Sequence, residues 1–111
     1  MAEQIPVIGR SFLYDFGESA KYKLHFLAED KLDVTVVADT SYASGTVNRF
    51  DIARTELRSN LWMVTWTEPA TGNTVTHVQD YENGIAYTNI TDLASRGFWN
   101  LKGHITPVEE P

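Results

Sequence analysis

Between Leu61 and Ile90 the chain alternates strand-like runs with explicit turn chemistry, and that pattern leaves few folds open. Leu61 to Thr67 (LWMVTWT) carries two Trp, one Val and two Thr, residue types that suit a pleated, half-buried surface. Pro69 to Asn73 interrupts it: Pro69 fixes φ and Gly72 permits positive φ. Thr74 to Tyr81 reads as a second strand. Asn83-Gly84 then predicts a two-residue type I′ hairpin turn, which needs positive φ at both central positions. Ile85 to Ile90 returns as the third strand. The expected local structure is an antiparallel meander.

The flanks follow the same period. Gly9 to Phe16 places Phe12, Tyr14 and Phe16 on one face, and Lys21 to Leu27 does the same with Tyr22, Leu24 and Phe26. Leu32 to Ala38 is a third such run. Thr46 to Leu57 is one long bent strand or two short ones, preceded by a bend at Gly45, with Arg49, Asp51, Arg54 and Glu56 forming an exposed charged face. Phe98 to Ile105 is the last strand, after a loop with one helical turn at Asp92–Ala94. Residues 1–6 and 106–111 read as tails, so a core over about 7–105 makes one domain. No window keeps apolar residues at helical spacing. The expected fold is all-β, an up-and-down antiparallel barrel of about eight strands, because closure removes both sheet edges. A β-sandwich needs longer crossovers than these loops provide.

Charge narrows the partners. Fifteen acidic against nine basic residues give a net charge of −6. That disfavours nucleic acid and anionic membrane surfaces, both of which require clustered Lys and Arg. No run approaches the length of a membrane span. The start, MAEQIPVIGR, has neither the basic residues nor the apolar core of a signal peptide, so a cytoplasmic location is expected. Without cysteine there is no disulfide, thiolate metal site or thiol nucleophile.

No strong catalytic motif is present. His25, His77 and His104 lack metal-ligand spacing, and the serines and glycines form neither a nucleophile elbow nor a phosphate loop. A strand histidine is more often a hydrogen-bonded structural residue than a ligand, and His77 stands out only by lying mid-strand in the meander. The aromatic residues say more: three Trp, five Tyr and five Phe exceed what so small a core needs. A buried tyrosine wants a partner for its hydroxyl, so several phenols on lumen-facing strands suggest an apolar cavity with convergent polar groups.

The runs VIGRSFLYDF, KYKLHF and LWMVTWTEPATGNTV resemble the phenolic acid decarboxylases, small lipocalin-like barrels that act on hydroxycinnamic acids without a cofactor. THVQDYENGIAYTNI and FWNLKG are more similar to the MoaF-like (molybdenum cofactor protein F-related) calycin domains, and the resemblance spans residues 7–105. It implies the barrel fold and a homodimer. The decarboxylase apparatus does not carry over. Of its two first-strand tyrosines only Tyr14 is kept, the second being Phe16, while a further tyrosine matches Tyr22. Its arginine falls at Gly45, with Arg49 out of register, and its acid-base glutamate falls at Ser59, with Glu56 three residues away. Decarboxylation needs a group to protonate the vinyl carbon, and Ser59 cannot supply it.

The parity that comes with the match puts Leu61, Met63 and Thr65 inside and Trp62, Val64 and Trp66 outside. An outer wall bearing Trp62 and Trp66 then predicts the homodimer interface. The expected ligand contacts are Tyr14, Tyr22, Met63, Thr65, His77, Tyr87 and Asn89, around a small apolar or aromatic compound, with no metal or cofactor. The alternative is a cofactor-free lyase, isomerase or cyclase in which His77 or Glu68 acts as acid-base. A structural oligomer subunit is the third reading, if the interior is packed solid.

Overall fold

The computed structural model describes residues 4–108, and within them the chain forms nine strands. These are β1 (Ser11–Asp15), β2 (Ala20–Ala28), β3 (Lys31–Asp39), β4 (Val47–Asp51), β5 (Ala53–Arg58), β6 (Leu61–Glu68), β7 (Asn73–Asp80), β8 (Ile85–Asp92) and β9 (Gly97–Val108). All pairings are antiparallel, in the order β4-β3-β2-β1-β9-β8-β7-β6-β5. The result is a nearly closed up-and-down barrel, as the alternation predicts.

The bent stretch explains both the strand count and the closure. β4 and β5 run in the same direction and are joined through Ile52 alone; the first half pairs with β3 and the second with β6. One long bent strand thus serves both edges of the sheet. Ile52 is buried at the bend, and its N–H donates to the Asp30 carbonyl at 3.0 Å. Across the seam the Phe50 ring stacks on Trp66, with centroids 6.0 Å apart. Side chains close the gap that backbone hydrogen bonds leave.

The core lies inside the barrel, where Phe12, Tyr14, Leu24, Phe26, Leu32 and Val64 are almost inaccessible. The parity of β6 is the reverse of the expected one. Val64 and Trp66 are buried and Trp62 packs against the core, whereas Met63 and Thr65 alternate with them. Both faces of LWMVTWT are apolar, so alternation alone could not choose between them. The premise for a homodimer wall at Trp62 and Trp66 therefore falls away.

Arg54 is a second correction. Its side chain is only 3% exposed rather than part of a charged surface. The guanidinium carbon sits 3.9 Å over the Trp62 ring and 5.5 Å from that of Phe26, a cation–π arrangement, and Nη1 donates to Glu29 Oε2 at 2.7 Å. The tails also differ from expectation. Residues 106–108 extend β9 along β1, and Ile5 N–H donates to the Asn60 side-chain oxygen at 2.7 Å; residues 1–3 and 109–111 lie outside the described residues.

Asn83-Gly84 does make a hairpin, but not a type I′ turn. The loop spans residues 81–84, and of the pair only Gly84 has positive φ, 67°. Tyr81 is drawn into the core, and Asp80 accepts from the Asn83 backbone and side chain at 3.1 and 2.8 Å. The expected helical turn at Asp92–Ala94 is instead a hydrogen-bonded turn capped by the Asp92 carboxylate.

Candidate ligand site at the barrel mouth

The two ends of the barrel differ. Strands β1, β3, β6 and β8 run in one direction and end in Asp15, Asp39, Glu68 and Asp92, although Asp15 pairs with His104 and Asp92 with Gly97, seven residues apart along β9. Three of these carboxylates accept from backbone N–H groups of their own turns: Asp15 from Gly17 at 3.0 Å, Asp39 from Ser41 at 2.7 Å and Asp92 from Ala94 at 3.1 Å. Glu68 does not; its carboxylate accepts from the Trp66 indole at 3.5 Å. The other end is filled by Phe12, Leu24, Phe26 and Leu32 and covered by the segment from Ile5 to Gly9, whose Val7 is buried and whose Gly9 N–H donates to the Phe26 carbonyl at 2.6 Å. A depression of about 230 Å³ lies beside that segment, lined by Ile5, Glu29, Arg54 and Trp62 among others.

Between the ends runs a polar column, built because β7 points every second residue inward. Tyr81 O–H donates to Gln79 Oε1 at 2.5 Å, so Tyr14 O–H is the donor in its 2.7 Å bond to the Tyr81 oxygen. The Gln79 amide nitrogen lies 3.1 Å from His77 Nδ1. An amide nitrogen can only donate, so Nδ1 accepts and the imidazole proton sits on Nε2. Burial drives the His77 pKa down to about 3, and the ring is neutral. Burial also raises both tyrosines, with the Tyr81 charge adding to the shift of Tyr14.

The His77 ring is enclosed by Trp66, Tyr14 and Phe16, with centroids at 4.9, 5.7 and 5.8 Å. Its Nε2 makes no hydrogen bond among the described residues. Directly across the β7–β8 ladder stands Thr88, buried, with an unpaired Oγ1. Nearer the rim the half-buried Tyr22 donates to Asp39 Oδ2, and burial, followed by that bond, raises its pKa. Burial likewise raises Glu68, and Asp39 adds to the effect. The arrangement is a set of rings packed around a neutral imidazole, with an unpaired buried hydroxyl across the ladder and the Asp39 and Glu68 carboxylates nearer the strand ends.

Of the expected contacts, the fold brings Tyr14, Tyr22 and His77 together, with Glu68 at the rim. Met63 and Thr65 lie on the opposite face of β6 from Val64 and Trp66. Tyr87 and Asn89 are outside: Tyr87 is 46% exposed with Lys102 5.9 Å from its ring, and the Asn89 side-chain oxygen accepts from Asn100. In IAYTNI the two isoleucines have opposite parity, so the run does not declare a face, and the small Ala86 and Thr88 take the inner one. Gln79, Tyr81 and Thr88 were missed. Period two counted onward from His77 would have found the first two.

The column gives a direct test of its structural worth. Tyr81→Phe removes the donor to Gln79 and the acceptor for Tyr14, leaving buried polar atoms unpaired, at a cost of about 1–3 kcal/mol. Urea unfolding should show that loss, and the exposed Tyr87→Phe should show none.

The sequence carries a family signature over nearly all of this barrel: a model of the MoaF-like family matches residues 8–106. The chain belongs to the MoaF-like family. Among solved structures, the MoaF-like barrel is similar to a crystal structure from Burkholderia vietnamiensis described as a "putative beta-lactamase", with a TM-score of 0.81 and 18% identity, covering 96% of this chain and 100% of that one. At that identity the likeness speaks for the fold. No curated protein matches the chain in sequence.

Proposed function

We propose that the mouth half of this MoaF-like barrel binds a small, largely apolar or aromatic compound. The observation that carries the reading is the pair of uncommitted polar groups at its floor, His77 Nε2–H and Thr88 Oγ1, inside a cage of Trp66, Phe16 and Tyr14. A buried hydroxyl without a partner costs stability, and a ligand that pairs with it recovers that cost. The Tyr14 hydroxyl is committed to Tyr81 and the Tyr81 hydroxyl to Gln79, so His77 Nε2–H is the donor of the column left for a ligand. No cofactor is required by this reading, and a cytoplasmic setting remains its expectation.

Titration calorimetry with a panel of one- and two-ring aromatic compounds should give at least one saturable ligand. Thr88→Val should weaken it about tenfold, the worth of one hydrogen bond in a dry site. A ligand indifferent to Thr88→Val, or a panel with no ligand at all, counts against the site.

Glu68 supports a second reading, a cofactor-free lyase, isomerase or cyclase. Its carboxyl is raised above the usual carboxylate range by burial, the direction a general acid needs, whereas His77, driven down to about 3, is too weak a base to share the task. An activity that persists in Glu68→Gln would remove this alternative. The beta-lactamase description belongs to the structural neighbour; in this chain no serine is followed three residues later by lysine.

A further inference from the structure

We propose that the mouth selects uncharged ring compounds over carboxylates, with a hydrogen-bond acceptor at the ligand's inner end and a donor at its outer end. This rests on the binding reading above and adds to it the charge and polarity of the ligand.

The inner end is set by His77. Its Nδ1 is committed to the Gln79 amide, so only Nε2–H is left to face a ligand, and that group donates. A carbonyl or ether oxygen satisfies it. A carboxylate would ask for a cation, and none acts on His77, whose perturbation comes from burial alone; the Arg54 charge reaches the Tyr14 and Tyr81 hydroxyls below it. The buried cation, Arg54, stands at the covered end beside Phe26 and Trp62, held by Glu29. Thr88 Oγ1, opposite His77, can pair with a neutral oxygen as readily.

The outer end is set by the rim. Asp39 and Glu68 stand there, both acting on Tyr22, whereas Asp15 pairs with His104 and Asp92 with Gly97, seven residues apart along β9. The basic residues at this end are Lys21, 4.0 Å from Asp15, and Arg96 in the β8–β9 turn. The charges felt by Tyr22 and Glu68 are negative ones, Asp39 for both. The Asn73 side-chain oxygen, also on the rim, is buried and unpaired. Acceptors therefore dominate the entrance, and a phenol hydroxyl or similar donor fits them. An entering anion meets like charge in a partly desolvated setting, where the repulsion is weakly screened.

The test compares an isosteric set: 4-hydroxycinnamaldehyde, methyl 4-hydroxycinnamate and 4-hydroxycinnamate, each titrated calorimetrically into the full chain at pH 7.5. The aldehyde and ester should bind at least about tenfold more tightly than the carboxylate. Glu68→Gln should narrow that gap about threefold by removing one rim charge. A carboxylate that binds as tightly as its ester overturns the selectivity and leaves the binding reading standing. If none of the three binds and the His77 ring resonances do not move, both fall together. An unchanged gap in Glu68→Gln also overturns the assignment of selectivity to the rim.

Discussion

Gly103→Ala should lose about 3 kcal/mol of stability or more, enough to leave a domain of ordinary stability largely unfolded in mild urea. Gly103 is buried on β9 beside Ala86 of β8, where the end of β1 crosses it. A Cβ built there meets the Asp15 carbonyl oxygen at 2.3 Å, the Asp15 carbonyl carbon at 2.9 Å and Phe16 Cδ1 at 2.6 Å. Two of these atoms are backbone, so no rotamer change relieves the overlap; β1 must move off β9, and the Phe16 wall of the cage moves with it. Gly97→Ala is the matched control. There the close atoms belong to the Trp99 and Ser95 side chains, at 2.7 and 3.0 Å, and those can swing away. Urea denaturation followed by tryptophan fluorescence separates the two, and a Gly103→Ala protein within 1 kcal/mol of wild type would contradict the close approach.

Acid should destabilise the barrel well above the range in which carboxylates titrate, and His77 is the reason. Its folded pKa is about 3, against about 6.5 for an unburied imidazole. Between these values the unfolded chain binds a proton that the folded chain refuses. Stability therefore falls as pH drops from about 6.5 toward 3, by on the order of 1 kcal/mol per pH unit. Glu68 opposes this: with its pKa raised, the folded state holds a proton that the unfolded state has lost, so its ionisation costs stability as pH rises. Asp33, lowered chiefly by its bond to Arg49, and Asp80, lowered by its bonds to Asn83 and by Arg58 against the pull of burial, act in the usual direction, but only below the normal carboxylate range. The net slope between pH 4 and 6.5 should thus belong to His77. His77→Gln keeps an acceptor for the Gln79 amide and should flatten the slope, as read from urea midpoints across that range. An equally steep loss in the variant would show that another group refuses the proton.

Where one face of a strand was apolar and the other polar, the side chains were placed correctly. SFLYD and KYKLHF are such strands: Phe12, Tyr14, Leu24 and Phe26 are inside because a one-residue slip would bury Lys21, Lys23 and Asp15. The turns at Pro69–Gly72 and Asn83-Gly84 fell where Pro, Gly and Asn said they would, though the second adopted another geometry. The loop lengths were enough for an up-and-down barrel.

Three things required the tertiary structure. Strands β6 and β8 present acceptable residues on both faces, so only the closed sheet shows that Ala86, Thr88, Trp62 and Trp66 pack inward while Tyr87 and Asn89 face out. Arg54 looks like a surface charge beside Glu56 and Arg58. Only the closure of the bent strand against β6 turns it over Trp62, because a cation's burial depends on partners distant in sequence, here Glu29 and Phe26. The polar column is the third. His77, Gln79 and Tyr81 share a face by periodicity, so that much was local; their meeting with Tyr14 joins residues 67 apart. Alternation is a property of a strand and can be read from its residues. Which strand faces which across the lumen is a property of the closed sheet, and it exists only once the chain has folded.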